Sequence, residues 1–130
     1  MTLPTFKVII AGGRDFSDYA LLCEKCDCIL SQKRKSHSVV IVSGTARGAD
    51  SLGERYANER GYPIQRFRPD WNAAGRAAGF IRNAQMSDAA DALIAFWDGQ
   101  SKGTENMIGI ARKRNLLVRV VGYKTTVNEY

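Results

Sequence analysis

The sequence has no long hydrophobic run and no leader-like start. Its apolar runs span only four to six residues, far fewer than the roughly 20 that a membrane-crossing helix requires. The first residues also lack the basic-then-apolar pattern of a secretory signal. These absences argue against a membrane protein and lead us to expect a cytoplasmic one.

Cysteine and histidine are scarce. The chain has three cysteines, Cys23, Cys26 and Cys28, and a single histidine, His37. A zinc site would need a fourth ligand, and His37 stands at an unusual spacing for one. Because Cys23 and Cys26 fall on a helical stripe of apolar residues, we interpret them as small core residues. The sequence therefore predicts no metal site, and we expect no cofactor.

Acidic residues are outnumbered by basic ones. Nineteen Lys and Arg against 13 Asp and Glu give a formal net charge of +6, which suits an anionic partner such as a nucleotide or a nucleic acid. The basic runs at residues 33–35 and 112–114 have two interpretations. They would complement the dipoles at the ends of the first and last predicted helices, or form part of a nucleic-acid-binding surface.

Apolar runs alternate with segments of helical periodicity along the whole chain. The predicted strands are residues 6–11, 39–43, 64–67, 92–96 and 117–121. The predicted helices are residues 17–32, 48–60, 77–88 and 104–114. Such alternation is typical of an α/β fold in which right-handed crossovers join parallel strands. We predict one domain over residues 1–130, with a Rossmann-like, doubly wound, mainly parallel five-stranded sheet of order 3-2-1-4-5 and helices on both faces.

Helix starts and stops are marked by particular residues. Ser17 or Asp18 is the predicted N-cap of the first helix, and Thr104 that of the last. Gly61 and Asn115 are the predicted C-terminal stops. The third helix begins near residue 75 or near residue 79, and the sequence does not decide between them.

Three short glycine-bearing stretches follow three of the predicted strands. They are residues 12–15 (GGRD), 43–50 (SGTARGAD) and 97–104 (WDGQSKGT). Segments that follow parallel strands gather at the carboxyl edge of the sheet, where open α/β folds bind ligands. Glycine lets backbone N–H groups approach a phosphate closely. The second stretch lacks the ending of a P-loop and the spacing of the dinucleotide fingerprint, so the prediction is a site for a phosphorylated ligand of unspecified identity.

The candidate ligand-binding residues come from these stretches and from the third helix. They are Gly12, Gly13, Arg14, Asp15, Ser43, Gly44, Thr45, Arg47, Gly48, Arg82, Asn83, Gly99, Ser101, Gly103 and Thr104. We expect the glycines to bring backbone donors to the phosphate and the arginines to neutralise its charge. Arg47→Ala and Arg82→Ala are therefore expected to weaken binding while leaving thermal unfolding nearly unchanged.

Four carboxylates lie in or beside the stretches, at Asp15, Asp50, Asp98 and Glu105. If the ligand is turned over, we expect N-glycosidic cleavage, which needs a carboxylate to stabilise an oxocarbenium-like centre or to activate water. Asp50, Asp98 and Glu105 are the catalytic candidates. Asp50 has a structural alternative, because a carboxylate in the first turn of a helix also complements its dipole.

Taken together, residues 11–16, 43–50, 78–83 and 95–104 resemble the SLOG superfamily, in its YspA-like, YpsA-related branch. The superfamily also includes the Lonely Guy phosphoribohydrolases and the Smf DNA-processing proteins. The resemblance covers nearly the whole chain in the expected order. It implies a Rossmann-like sheet that binds a nucleotide or a nucleotide-derived ligand at the glycine stretches.

The resemblance implies less about activity. Lonely Guy enzymes use a glutamate three residues after the threonine of a GGxGT motif. Here Gly103 and Thr104 align with the end of that motif, and the third residue after Thr104 is Met107. Glu105 is out of register by two positions, which turns a helical side chain by roughly 200°.

Three classes of function therefore stay open. The chain binds a nucleotide-derived ligand, with or without hydrolysis; or it binds single-stranded nucleic acid; or it senses a nucleotide signal without turnover. Trp71, Trp97 and Tyr62 are too scattered in sequence to define the aromatic platform of a single-strand binder. A sensor would act through a separate partner or as a homo-oligomer, and we expect a homo-oligomer.

Overall fold

The computed structural model describes residues 2–124 of the chain. Its five strands are β1 (Thr5–Gly12), β2 (Ser38–Ser43), β3 (Ile64–Arg66), β4 (Ala92–Trp97) and β5 (Leu117–Gly122). Its α-helices are α1 (Tyr19–Leu30), α2 (Lys33–Ser36), α3 (Ala49–Arg60), α4 (Trp71–Ala74), α5 (Ala78–Ala89) and α6 (Lys102–Lys113). One turn of 3₁₀-helix, Gly75–Ala77, joins α4 to α5.

The strands form one parallel sheet of order β3-β2-β1-β4-β5. This confirms the predicted topology. Strands β1, β2 and β4 lie in the centre, where runs such as Ile41–Val42 and Leu93–Phe96 are fully buried. A strand covered on both faces needs apolar residues at successive positions, which is why these strands read as continuous apolar runs.

Two hydrophobic clusters cover the two faces of the sheet. One contains Leu22, Cys26 and Tyr56 from α1 and α3, and the other contains Met86 and Met107 from α5 and α6. Helices therefore lie on both faces, as predicted. Cys26 is fully buried and Cys23 packs against the first cluster, in agreement with their interpretation as core residues. Among residues 2–124, no group of three or more Cys, His, Asp or Glu side chains is arranged to hold a metal ion.

The predicted cap of α1 and the predicted stop of α3 are confirmed, whereas the predicted cap of α6 is wrong. Asp18 caps α1 by accepting a hydrogen bond from the N–H of Leu21, and Gly61 ends α3 in the left-handed conformation at φ +74°. The cap of α6 is Ser101 and not Thr104, because the helix begins at Lys102, two residues before its predicted start. Asn115 follows the end of α6 at φ +60°.

Two short helices, α2 and α4, were not predicted from the sequence. The basic run at residues 33–35 lies in α2 instead of in the last turn of α1, whereas Arg112 and Lys113 occupy the last turn of α6 as expected. No helix within residues 2–124 is both long and apolar enough to cross a bilayer.

Candidate functional site

A cavity of about 440 Å³ opens at the carboxyl ends of β1 and β4, which we call the first cavity. The connection after β1 runs along one face of the sheet and the connection after β4 along the other, so the chain diverges here and leaves a crevice. The cavity is lined by Ala11, Gly12, Gly13, Arg14, Asp15, Ala46, Asp50, Trp71, Arg76, Gly79, Phe80, Arg82, Asn83, Met86, Asp98, Ser101, Gly103, Thr104 and Met107. Parts of all three glycine stretches thus meet at one edge of the sheet.

A second cavity of about 490 Å³ adjoins the first. Its lining is Arg14, Gly44, Thr45, Ala46, Arg47, Arg68, Pro69, Trp71 and Arg82. Four residues, Arg14, Ala46, Trp71 and Arg82, line both cavities. The two spaces therefore form a continuous groove.

The first and second glycine stretches are packed directly against each other at Gly48. This residue has φ +78°, and a Cβ placed on it would lie 2.6 Å from the carbonyl oxygen of Arg14. The neighbouring N–H of Ala49 donates to the carbonyl oxygen of Gly13 at 3.1 Å. Glycine is required at residue 48 because two backbone segments come into contact there.

Three backbone N–H groups of the first two glycine stretches are used within the protein. The N–H of Thr45 donates to Ser43 Oγ at 3.1 Å, and that of Ala46 donates to Asp50 Oδ2 at 3.2 Å. The N–H of Gly13 donates to the carbonyl oxygen of Phe96 at 3.1 Å. Side chains, more than these N–H groups, are therefore what the groove offers to an anion.

Ser43 lies outside both cavities. It is 1% exposed, and its Oγ donates to Glu54 Oε2 at 2.6 Å. Glu54 also accepts from Arg66. Burial would raise the pKa of Glu54, but the hydrogen bonds from Ser43 and Arg66 outweigh it and hold that pKa below its usual value. Ser43 therefore anchors α3 beneath the groove.

Asp50 and Arg82 form a buried pair of opposite charge beside Gly44. They are 4% and 8% exposed. Arg82 donates from Nη1 to the carbonyl oxygen of Gly44 and from Nε to Asn83 Oδ1 at 3.0 Å. A Cβ on Gly44 would lie 2.8 Å from Asp50 Oδ2 and 3.0 Å from Arg82 Nη1, so glycine makes room for both charged groups.

The third predicted helix begins close to the later of its two predicted starts. Helix α5 begins at Ala78, which puts Arg82 and Asn83 in its second turn, buried and directed at the groove. Asn83 donates to Asn106 Oδ1 at 3.0 Å and so joins α5 to α6. Both residues hold the walls of the groove together in addition to lining it.

The ionisation of Asp50 is expected to make the fold less stable as the pH rises. Burial, partly offset by the Ala46 N–H and by Arg82, raises the pKa of Asp50 from 3.8 to about 6. The folded state thus binds this proton more tightly than the unfolded chain. The stabilisation that comes from binding this proton is fully present below pH 3.8 and is lost as the pH rises to about 6.

Asp50→Asn is therefore expected to raise the free energy of unfolding at pH 7 by about 1–3 kcal/mol. Urea denaturation of parent and variant between pH 4 and pH 7 measures this difference, which should shrink toward the acidic end. Equal pH profiles for the two proteins would contradict the assignment.

The third glycine stretch forms the start of α6. Asp98 Oδ1 accepts from the N–H groups of Gln100 and Ser101 at 2.9 and 2.8 Å, and the hydroxyls of Ser101 and Thr104 lie 3.1 Å apart. Ser101, Gly103 and Thr104 line the first cavity, as does Asp98. Gly99 instead lines a shallow depression on the outer side of the loop.

The register of α6 decides which of its residues faces the first cavity. Met107 is 1% exposed and lines the cavity. Glu105 is exposed on another face of the helix, in a separate groove with Lys102 and Lys113. Of the three candidate catalytic carboxylates, Asp50 and Asp98 line the cavity and Glu105 does not.

The first glycine stretch is held from the opposite end of the chain. Tyr123 donates its hydroxyl to Asp15 Oδ1 at 2.6 Å and stacks edge-on against Phe16. Asp15 is therefore engaged by the protein, while Arg14 beside it is exposed at the junction of the two cavities.

Sequence reasoning missed several lining residues. Trp71 and Phe80 are 52% and 49% exposed and both line the first cavity, although they lie nine positions apart. Arg68 lines the second cavity and Arg76 the first. The only feature of the sequence that could have pointed to them was a tryptophan that directly follows Asp70, the N-cap of α4. Trp97, by contrast, is half-buried and donates to the carbonyl oxygen of Ser101 at 3.1 Å.

The parallel sheet, with an arginine-lined groove at its switch point, defines a Rossmann-like α/β protein. The chain belongs to the YspA, cpYpsA-related family of the SLOG superfamily (YAcAr), whose pattern matches residues 6–73. It is 33% identical over 125 residues to the Gene 61 protein of Mycobacterium phage D29, covering 91% of this chain and 98% of that protein. The family assignment thus agrees with the resemblance found in the sequence.

Solved structures share the fold. DNA processing protein A of Streptococcus pneumoniae superposes with a TM-score of 0.70 at 14% identity, over 95% of this chain and 52% of that one. DNA processing protein A of Helicobacter pylori, described as having a unique single-stranded DNA binding mode, gives a TM-score of 0.66 at 18% identity, over 93% of this chain and 67% of that one. This chain therefore spans about half to two thirds of the length of these proteins.

Proposed function

We propose that this protein binds a nucleotide or a nucleotide-derived phosphorylated ligand in the groove formed by the two cavities. The observation that supports this most directly is the position of Trp71. Its half-exposed indole stands where the two cavities meet, together with Arg14 and Arg82. An aromatic ring can stack on a base, and guanidinium groups bind phosphate with paired hydrogen bonds. Membership of the SLOG superfamily supports the same class of ligand.

Nucleotide binding is expected to quench the fluorescence of Trp71, and Trp71→Ala is expected to weaken it. Base–aromatic stacking contributes about 1–3 kcal/mol, so the affinity for a 5′-mononucleotide should fall roughly tenfold or more. The melting temperature should change little because the indole is 52% exposed. Titration of the four 5′-mononucleotides, followed by fluorescence and calorimetry, measures both effects.

Trp97→Phe is the matched control. Trp97 lies outside both cavities, so this variant should keep the parent's affinity and its quenching signal. If Trp71→Ala binds every mononucleotide as tightly as the parent does, the proposed groove is wrong.

Single-stranded nucleic acid is the second candidate, and one observation favours it. Trp71 and Phe80 are both exposed in the first cavity beside Arg14 and Arg76, an arrangement of rings and cations that suits stacked bases. The fold relationship to DNA processing protein A supports this candidate as well. Oligonucleotide affinity that exceeds mononucleotide affinity and falls steeply with salt would select it, whereas salt-independent binding would reject it.

The groove lends weaker support to N-glycosidic hydrolysis. The resemblance to Lonely Guy enzymes aligns Met107 with their glutamate, and Glu105 lines another groove instead of the first cavity. Asp50 and Asp98 are the carboxylates that remain for such chemistry. Chromatography for free base after incubation with nucleoside monophosphates distinguishes turnover from binding.

A further inference from the structure

We infer that the two cavities divide the ligand, with the phosphoryl group in the second cavity beside Arg68 and the nucleoside in the first. This inference rests on the proposed function and specifies how the ligand is oriented. Arg68 thereby takes part in phosphate recognition, although it lies in the loop after β3 and outside the three glycine stretches.

The charges lining the two cavities differ sharply. The first cavity has three arginines, Arg14, Arg76 and Arg82, and an equal number of aspartates, Asp15, Asp50 and Asp98. The second cavity has four arginines, Arg14, Arg47, Arg68 and Arg82, and its lining contains no Asp or Glu. A dianionic phosphoryl group would be repelled by the carboxylates of the first cavity and attracted by the second.

The arginines of the second cavity form no close ion pair within the described residues, although Arg68 attracts Glu54, and both Arg14 and Arg82 attract Asp50, from farther away. Arginines elsewhere on the surface do pair with acids, namely Arg55, Arg60, Arg66 and Arg114. The guanidiniums of this cluster repel one another, as the effect of Arg14 on Arg82 shows, and a bound phosphoryl group would relieve that repulsion.

Arg68 is held in place from both sides. The N–H of Phe67 donates to the carbonyl oxygen of Ser43 at 2.8 Å and so extends the pairing of β3 with β2. Asp70 accepts from the N–H of Ala73 at 3.1 Å and caps α4. Pro69 fixes the backbone between these two points. Because its backbone is anchored, Arg68 needs little ordering of its main chain on binding.

The first cavity has the chemistry that suits a nucleoside. Trp71 and Phe80 offer rings for the base. Carboxylates such as Asp50 and Asp98 are natural acceptors for ribose hydroxyls. The hydroxyls of Ser101 and Thr104 hydrogen-bond to each other at the start of α6. They are therefore less available to a phosphate than the guanidiniums of the second cavity are.

The test compares a 5′-mononucleotide with its matching nucleoside in four proteins: the parent, Arg68→Ala, Arg68→Lys and Arg112→Ala. Arg112 is exposed in the last turn of α6 and lines neither cavity, so its replacement controls for the change in net charge. Arg68→Ala should lower mononucleotide affinity about tenfold and leave nucleoside affinity within about twofold. Arg68→Lys should recover part of the loss, and Arg112→Ala should bind like the parent.

Each alternative result has a distinct meaning. If the parent binds no mononucleotide, the proposed function fails and the inference fails with it. If the parent binds mononucleotides but Arg68→Ala matches Arg112→Ala, the inference is overturned while the proposed function stands. Equal losses for nucleoside and mononucleotide in Arg68→Ala would also overturn it, since Arg68 would then not act through the phosphoryl group.

Discussion

Gly48→Ala is expected to lower the free energy of unfolding by about 3–5 kcal/mol. A Cβ at this residue would lie 2.6 Å from the carbonyl oxygen of Arg14 and closer still to that of Gly13, and φ is +78°. The clash is with backbone, so no side chain can rotate away to relieve it. The loops that carry Gly13 and Ala49 would have to separate, which would also break the hydrogen bond between them. Chemical denaturation measures the loss.

Gly75→Ala is the matched control for this prediction. Gly75 has φ +55° and ψ −129°, close to the φ +78° and ψ −126° of Gly48, but a Cβ there would meet nothing within 4 Å. Its replacement should cost only the conformational penalty of about 1–3 kcal/mol. If the two alanine variants lose the same stability, the close contact of the two glycine loops is not what makes residue 48 a glycine.

Arg82→Ala is expected to lower the free energy of unfolding by about 2–4 kcal/mol, in addition to weakening nucleotide binding. The sequence led us to expect an effect on binding alone, and the structure revises that expectation. Arg82 is 8% exposed and donates to Gly44 and Asn83. Without it, those acceptors and the carboxylate of Asp50 would be left buried without their cationic neighbour. Thermal and urea unfolding, measured beside mononucleotide affinity, separate the two effects.

Arg47→Ala provides the comparison. Arg47 is exposed and lines only the second cavity, so the expectation drawn from the sequence still holds for it. Its stability should change by less than about 0.5 kcal/mol while mononucleotide affinity falls. An Arg82→Ala protein as stable as Arg47→Ala would show that the buried hydrogen bonds contribute nothing.

The strands were predictable because each one is a run of adjacent apolar residues. Their order was predictable because strands and helices alternate along the chain, as in a doubly wound sheet. A run such as residues 92–96 is short and apolar at successive positions, which is typical of a strand buried on both faces. The position of the candidate groove was predictable, since the ends of β1 and β4 flank the switch point in this topology. Arg14, Asp50 and Asn83 accordingly line the groove.

The roles of individual site residues were harder to predict. Ser43 has the residue type and position expected of a phosphate-binding residue. Its hydroxyl instead donates a hydrogen bond to Glu54, 11 positions away. Glu105 lies next to Thr104 in sequence but faces another groove, because successive helical residues are turned by about 100°. Trp71 and Arg68 carry no motif, and they reach the groove only because α4 and the loop after β3 fold over the carboxyl edge.

The sequence by itself therefore determined the α/β class, the strand order, the family and the edge of the sheet at which the three glycine stretches meet. These features follow from residues that are close together in the chain. Only the tertiary structure decided that Gly48 lets the first two glycine loops come into contact, that Met107 and not Glu105 faces the first cavity, and that four arginines gather in the second. Such properties depend on contacts between residues that are far apart in the chain, and packing around the sheet determines those contacts.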